Sequence, residues 1–154
     1  MDFSLKSPDF NEGESIPKRF SCEGEDISPE LVWEDPPPGT KSFALIVEDP
    51  DAPMGTFVHW IIYDLPPASK KLRRGAGTEE LSDGIKQGST DFGLKRYGGP
   101  CPPKGHGKHR YNFLLRALDI ATLGLPAGAK KSEVERAMKG HILAETKITG
   151  LYQR

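Results

Sequence analysis

The sequence predicts a β-sandwich with one short helix near its C-terminal end. Short apolar runs rich in β-branched and aromatic residues recur through the first two thirds of the chain. Clusters drawn from its 17 glycines and 14 prolines separate these runs. A helical pattern begins only at about residue 130. Short strands divided by Pro and Gly turns favour a sandwich over an alternating α/β sheet.

Four apolar runs have the composition of strands, and each is bounded by turn-forming residues. They are LVW (31–33), KSFALIVE (41–48), FVHWIIYDL (57–65) and RYNFLLRAL (110–118). Alternation along the second run places Ala44 and Ile46 on one face of its strand. The opposite face then carries Phe43, Leu45 and Val47. We expect each run to form one strand.

The late helical pattern lies in KKSEVERAMKGHILAE (130–145). Ser132 is the predicted N-cap, with Glu135 three residues later completing a capping box. Four apolar residues then recur at helical spacing: Val134, Ala137, Met138 and Ile142. The segment AETKITGLY (144–152) predicts a final strand. We expect the helix to cover an open end of the sandwich.

Length and charge set the class of protein. A chain of 154 residues fits a single domain over 1–154. Charged residues make up 28% and the net charge is -1, which gives no general attraction to nucleic acid or to an anionic membrane. The start MDFSLKSPDF predicts no signal peptide. No run approaches the roughly 18 apolar residues of a spanning helix. We therefore expect a cytoplasmic protein without integral membrane association.

Cys22 and Cys101 are too few for a disulfide-rich secreted scaffold. A single bridge between them stays open, because intracellular proteins of hyperthermophiles keep disulfides.

The stretch EDPDAPMGTFVHW (48–60) carries groups that can titrate. Asp49 and Asp51 flank a proline at the exit of a predicted strand, and His59 lies inside the next strand. Taken alone, DPDAP is a rigid turn whose aspartates cap backbone amides. Taken alone, His59 is a buried core residue.

A second rigid loop, GGPCPPKGHGKHRY (98–111), combines prolines and glycines with Cys101, His106 and His109. These side chains can titrate, attack or coordinate a metal. Both loops adjoin predicted strands, and together they favour a functional site over two unrelated turns.

These two stretches resemble the signature regions of the phosphatidylethanolamine-binding proteins, closest to the bacterial and archaeal Raf-kinase-inhibitor-like branch. The segments SCEGEDISPELVWEDPPPGTKSFALIVEDPDAP, STDFGLKRYGGP and HILAETKITGLY extend the resemblance over nearly the whole chain. The resemblance implies two antiparallel sheets with Greek-key topology and few helices. It also implies a cis peptide bond between Ala52 and Pro53.

In that family the two regions wall a pocket for small anions, including phosphate and phosphoryl head groups. The resemblance assigns six residues to ligand binding: Asp49, Asp51, His59, Pro102, His109 and Tyr111. Cys101, in the same loop, completes the predicted set of seven. Backbone N–H groups of the loop would also face the anion. Arg110 points away from its neighbours and is expected to pair with a carboxylate. The nearby aspartates are expected to raise the pKa values of His59 and His109.

The resemblance has consequences for pairing and partners. It implies that Cys22 and Cys101 lie close enough to bridge in an oxidising setting. It implies a homodimer, because the sequence ends at GLYQR without the C-terminal helix of eukaryotic relatives. An alternative function is inhibition of a kinase or protease through an unidentified protein partner.

Two chemical alternatives use the same residues. Cys101 with a histidine of its loop would make a thiol hydrolase. However, Cys101 lies between prolines, with no helix N-terminus nearby to lower its pKa. The three histidines of the two stretches, with Asp49 or Asp51, would suit zinc. A Gly-rich loop, however, does not impose the spacing that such a site needs. The sequence favours a non-catalytic binding protein without metal or cofactor.

Overall fold

The computed structural model describes residues 2–79, 81–82 and 84–154. Over these residues the chain forms eight strands and one α-helix. The strands are β1 (Ser4–Lys6), β2 (Leu31–Glu34), β3 (Ser42–Asp49), β4 (Phe57–Leu65), β5 (Lys71–Leu72), β6 (Lys86–Gln87), β7 (His109–Leu118) and β8 (Ile142–Tyr152). The helix, α1, spans Lys131–Met138. Within these ranges, no helix has the length and apolar character needed to cross a membrane.

The strands form two antiparallel sheets across the described residues. The smaller sheet has the order β1-β2-β5, and the larger has the order β6-β4-β3-β7-β8. Every neighbouring pair is antiparallel. The predicted two-sheet β fold with a short late helix is confirmed, and the Greek-key topology stays a prediction.

The alternation predicted for β3 is confirmed by its packing. Phe43, Leu45 and Val47 pack in one hydrophobic cluster. This cluster also contains Leu31 and Trp33 of the smaller sheet. Ala44 and Ile46 belong instead to a second cluster on the opposite face of the larger sheet. The larger sheet is therefore buried on both faces, which explains the unbroken apolar run of β3.

Helix α1 covers that second face, not an open end of the sandwich. Its Val134 and Met138 are fully buried in the second cluster. Burial of each side chain contributes about 1.5–3 kcal/mol.

The predicted helix boundaries need correction. A carboxylate oxygen of Glu133 accepts the Lys130 backbone N–H at 3.0 Å, so the N-cap is Lys130 and the prediction of Ser132 is wrong. Glu133, not Glu135, is the residue that reaches back to this amide. Ile142 begins β8 because Gly140, at φ +84°, ends the helical turn.

Strand register brings three strand ends together. Asp49, at the end of β3, pairs with Phe57 at the start of β4. On the other side of β3, Glu48 pairs with Asn112 of β7. The exit of β3 and the starts of β4 and β7 thus meet at one end of the larger sheet. This end holds the two stretches that carry titratable groups.

Candidate functional site

A pocket of about 470 Å³ opens at this end of the larger sheet. Its lining includes five of the seven residues predicted to bind the ligand: Asp49, His59, Cys101, Pro102 and His109. Tyr111 packs edge-on against the His59 ring, with 5.2 Å between the ring centroids. Asp51 lies outside the lining.

Asp49 and His109 form a buried pair, with 3% and 2% of each residue exposed. Nδ1 of His109 lies 2.7 Å from Oδ2 of Asp49. The other oxygen of Asp49 accepts the backbone N–H of Asp51 at 2.7 Å. An ionised carboxylate only accepts hydrogen bonds, so Nδ1 of His109 carries a proton. Asp49 therefore orients the His109 ring and leaves Nε2 to make the ring's other contact.

His59 is held by the loop before β7. Its Nδ1 lies 2.8 Å from the carbonyl oxygen of Gly98, and the Gly98 N–H donates back to the His59 carbonyl. Burial lowers the pKa of His59, although the Gly98 hydrogen bond and the charge of Asp49 act in the opposite direction. The predicted rise in the His59 pKa is therefore wrong, because desolvation outweighs the nearby carboxylate. A neutral His59 ring presents an unprotonated Nε2.

Asp51 pairs with Arg110. Its carboxylate accepts hydrogen bonds from the backbone N–H, Nε and Nη2 of Arg110 at 2.8–2.9 Å. The Arg110 hydrogen bonds lower the pKa of Asp51 to about 2. The predicted pairing of Arg110 with a carboxylate is confirmed. Asp51 consequently ties the DPDAP turn to β7 from outside the pocket.

The turn itself contains no cis bond. The Ala52–Pro53 peptide is trans, so the cis bond implied by the resemblance is wrong. The N–H of Gly55 instead closes the turn on the carbonyl of Ala52 at 3.1 Å. Gly55 adopts φ +106°, a conformation that glycine accepts without a Cβ clash.

A disulfide joins Cys101 to Cys22, with 5.4 Å between the Cα atoms. The predicted proximity of the two cysteines is confirmed. The N–H of Cys22 also donates to the carbonyl of Pro100 at 3.1 Å. Because Cys101 has no free thiol in this bond, it does not serve as a nucleophile there. The thiol-hydrolase alternative loses its nucleophile.

The two glycines at the start of the loop have crowded surroundings. A Cβ on Gly98 would lie 2.4 Å from the Phe92 ring. A Cβ on Gly99 would lie 2.1 Å from the backbone oxygen of Phe20. The Gly99 N–H donates to the carboxylate of Asp26 at 2.7 Å. Close backbone approach thus fixes the position of the loop.

Sequence reasoning missed the aromatic wall of the pocket. The ring centroids of Phe57 and Phe92 are 4.8 Å apart, and Phe92 lies 5.2 Å from His59. Met54, in the turn, is 99% exposed at the pocket's edge. Phe92 falls within STDFGLKRYGGP, yet nothing local distinguishes its ring from a core residue.

Two further polar groups, on Tyr111 and His106, have contacts that the sequence could not show. The buried hydroxyl of Tyr111 has no hydrogen-bond partner among the described residues, and burial together with Asp49 raises its pKa. Nδ1 of the exposed His106 lies 2.5 Å from Nε2 of His109. Across the described ranges, no group of three or more His, Cys, Asp or Glu residues could hold a metal ion. The zinc alternative therefore gains no support from this geometry.

Comparison with known proteins gives consistent similarities. A family model described as phosphatidylethanolamine-binding protein matches residues 6–153. The UPF0098 protein of Aquifex aeolicus is 54% identical over 148 residues, which cover 96% of this chain and 86% of that protein.

Two solved structures share the fold over almost the full length. One is Escherichia coli YbcL, described as a new member of the mammalian PEBP family. It matches with a TM-score of 0.94 and 33% sequence identity, and the match covers 100% of this chain and 99% of the YbcL chain. The other is CT736 of Chlamydia trachomatis, described as a PEBP homologue. It matches with a TM-score of 0.90 and 39% sequence identity, and the match covers 99% of this chain and 97% of the CT736 chain.

Proposed function

The chain belongs to the phosphatidylethanolamine-binding protein family, and from this premise we propose that it binds a small phosphoryl-bearing anion in the pocket beside His109 without catalysing a reaction. The observation that carries the proposal is the buried Asp49–His109 pair. Because Asp49 holds Nδ1 of His109, a proton on Nε2 makes this nitrogen a charge-assisted donor to a phosphoryl oxygen.

The carboxylate of Asp49 does not rule out an anion at this position. Both of its oxygens are already engaged, one by His109 and one by the Asp51 amide. With His109 protonated, the pair is neutral overall. The anion then meets the imidazole ring and not an uncompensated negative charge.

His59 adds a requirement on the ligand. Its Nδ1–H is committed to Gly98, and its lowered pKa favours the neutral ring. Nε2 of His59 is therefore a hydrogen-bond acceptor. It suits a ligand that carries an N–H or O–H donor. A singly protonated phosphate or the ammonium group of phosphorylethanolamine supplies one. The aromatic wall formed by Phe57 and Phe92 suits an attached alkyl group.

Calorimetric titration with inorganic phosphate and with phosphorylethanolamine tests this proposal. Wild type and His109→Ala are compared at two pH values on either side of about 6.5. The expected loss in His109→Ala is about 1.5–3 kcal/mol, typical of a hydrogen bond to a charged group.

His141→Ala is the matched control. Nδ1 of His141 lies 2.8 Å from Asp119, in a second histidine–carboxylate pair that is not part of the pocket lining. This variant should bind as wild type does. Absence of binding of both ligands to wild type, or equal affinity in His109→Ala, contradicts the proposal.

The proposal includes a homodimer in which a second copy covers the apolar edge of the pocket. Met54 is 99% exposed there, and Phe92 and Leu94 are 40% and 39% exposed. Apolar groups exposed together favour contact with another surface. Light scattering at high protein concentration should give twice the mass of the chain, and a monomer contradicts this part.

A cytoplasmic location is also part of the proposal. The Cys22–Cys101 bond is compatible with it, because intracellular proteins of hyperthermophiles keep disulfides. Alkylation in freshly lysed cells followed by mass measurement reports the state of both cysteines.

A further inference from the structure

Resting on the proposed function, we infer that His106 is a second ligand for the anion. A phosphoryl oxygen enters between Nδ1 of His106 and Nε2 of His109 and replaces the direct contact between the two rings. Neither the resemblance nor the comparisons assign a role to His106.

The starting point is a line of three side chains that runs from the core to the surface. Asp49 contacts Nδ1 of His109, and Nε2 of His109 contacts Nδ1 of His106. Asp49 and His109 are buried, whereas His106 is exposed. The line therefore connects a buried carboxylate of the pocket lining to solvent through the exposed His106.

The contact between the rings limits how many protons they carry. Nδ1 of His109 already donates to Asp49. In a direct N–H···N hydrogen bond, one proton lies between His109 and His106, and one of the two facing nitrogens accepts. Two facing N–H groups would repel each other and break the contact.

A phosphoryl anion removes this limit. With an oxygen between the rings, both facing nitrogens can donate to it, and the anion offsets the added positive charge. The second proton is taken up from solvent as the anion binds. Binding of the anion and uptake of one proton are thus coupled through His106 and His109.

The backbone on both sides of His106 lies in open space. Gly105 and Gly107 flank it at φ +75° and +90°, and a Cβ on either would have nothing within 4 Å. The loop is anchored on one side of His106, because the Gly105 N–H donates to the backbone oxygen of Arg154 and Cys101 is bonded to Cys22. His106 can turn outward while His109 stays in β7.

The charged groups around the pair favour the same exchange. Lys104 and Lys108 lie on the same loop, and Nε of Arg154 donates to the carbonyl of Pro102 at 2.6 Å. Three carboxylates lie near the pair: Asp49 behind His109, Asp51, which is held by Arg110, and Asp91 in the pocket lining. Asp49 and Asp51 already have partners, so a bound anion is the group that offsets a second proton on the histidine pair.

The test measures phosphate binding and proton uptake together. Titration calorimetry in two buffers of different ionisation enthalpy gives the number of protons taken up at one pH. The proteins are wild type, His106→Ala, His106→Asn, His109→Ala and the control His141→Ala. Inorganic phosphate is the first probe, and phosphorylethanolamine in a parallel series separates a lipid head group from free phosphate.

His106→Ala should bind phosphate about tenfold more weakly, as expected for a lost hydrogen bond to a charged group. Its proton uptake should fall below that of wild type. His106→Asn keeps an amide donor near the position of Nδ1 but does not titrate. It should recover part of the affinity without the proton uptake, while His141→Ala behaves as wild type.

Two outcomes separate this inference from the proposed function. If wild type binds phosphate and His109→Ala does not, while His106→Ala keeps full affinity and proton uptake, His106 is not a ligand. Tighter binding by His106→Ala also overturns the inference, because His106 would then only compete with the anion. If wild type binds no phosphate, the proposed function itself fails.

Discussion

Nδ1 of His109 lies 2.7 Å from Oδ2 of Asp49, and both side chains are almost fully buried where β3 and β7 adjoin. A charge in such surroundings needs a close partner. The pairing therefore sets the orientation of His109. It is the relationship on which the proposed anion site depends.

Replacing Asp49 by Asn removes the charged acceptor that holds Nδ1 of His109. Phosphate affinity should fall by about 1–3 kcal/mol, because His109 loses a hydrogen bond to a charged group. Titration calorimetry measures the loss. Asp119→Asn, which removes the partner of His141, is the matched control and should leave binding unchanged. An Asp49→Asn protein with wild-type affinity would refute the role given to this pair.

Because His59 is buried, the free energy of unfolding should decrease at acidic pH. Its pKa in the folded protein is lower than the ordinary value of 6.5, because burial disfavours the charged ring. The unfolded chain thus binds more protons below pH 6.5. The contribution of His59 is complete above pH 6.5 and is lost as the pH falls through the folded pKa.

His59→Asn keeps a donor for the carbonyl of Gly98 but does not titrate. Its free energy of unfolding should depend less steeply on pH below 6.5 than that of wild type. The difference in slope is at most about 1.4 kcal/mol per pH unit. Urea unfolding across the acid range measures it, and parallel curves for the two proteins would contradict the prediction.

Reduction of the Cys22–Cys101 bond should destabilise the protein but leave the pocket in place. The bond joins residues 79 apart, and the chain-entropy model gives about 4.5 kcal/mol for such a loop. Hydrogen bonds from Cys22 to Pro100 and from Gly99 to Asp26 still hold the loop. Phosphate affinity should therefore change by less than tenfold.

Urea unfolding with and without a thiol reductant measures the loss. A Cys22→Ser, Cys101→Ser variant should match reduced wild type and show no further response to the reductant. An effect of reductant on this double variant would show that the disulfide is not its target.

Gly98 and Gly99 should differ in their tolerance of a methyl group. Gly99→Ala forces a Cβ against the backbone of Phe20, which has little freedom to shift. We expect a loss of about 1–3 kcal/mol in the free energy of unfolding. Gly98→Ala meets the ring of Phe92, which is 40% exposed and able to turn away.

The Gly98→Ala protein should therefore lose less stability than Gly99→Ala, yet its phosphate affinity should change because Phe92 lines the pocket. Urea unfolding and calorimetry on the two variants give the comparison. Equal losses of stability in both would argue against backbone crowding at Gly99.

Local sequence determined most of the larger sheet. The alternation of Phe43, Leu45 and Val47 with Ala44 and Ile46 encodes two faces directly, because side chains alternate along any strand. The same alternation predicts that His109 and Tyr111 lie on one face of β7 and Arg110 on the other. The loops that hold the candidate site were also visible, since proline, glycine and histidine are concentrated in them.

Tertiary structure decided the chemistry of those residues. Asp51 pairs with Arg110 across 59 positions of sequence, and His59 with Gly98 across 39. The burial that lowers the pKa of His59 is a sum over neighbours drawn from several strands and loops. The contact of His106 with His109 depends on how the loop closes. Such distances and desolvation arise only after packing, so no local pattern of residues could encode them.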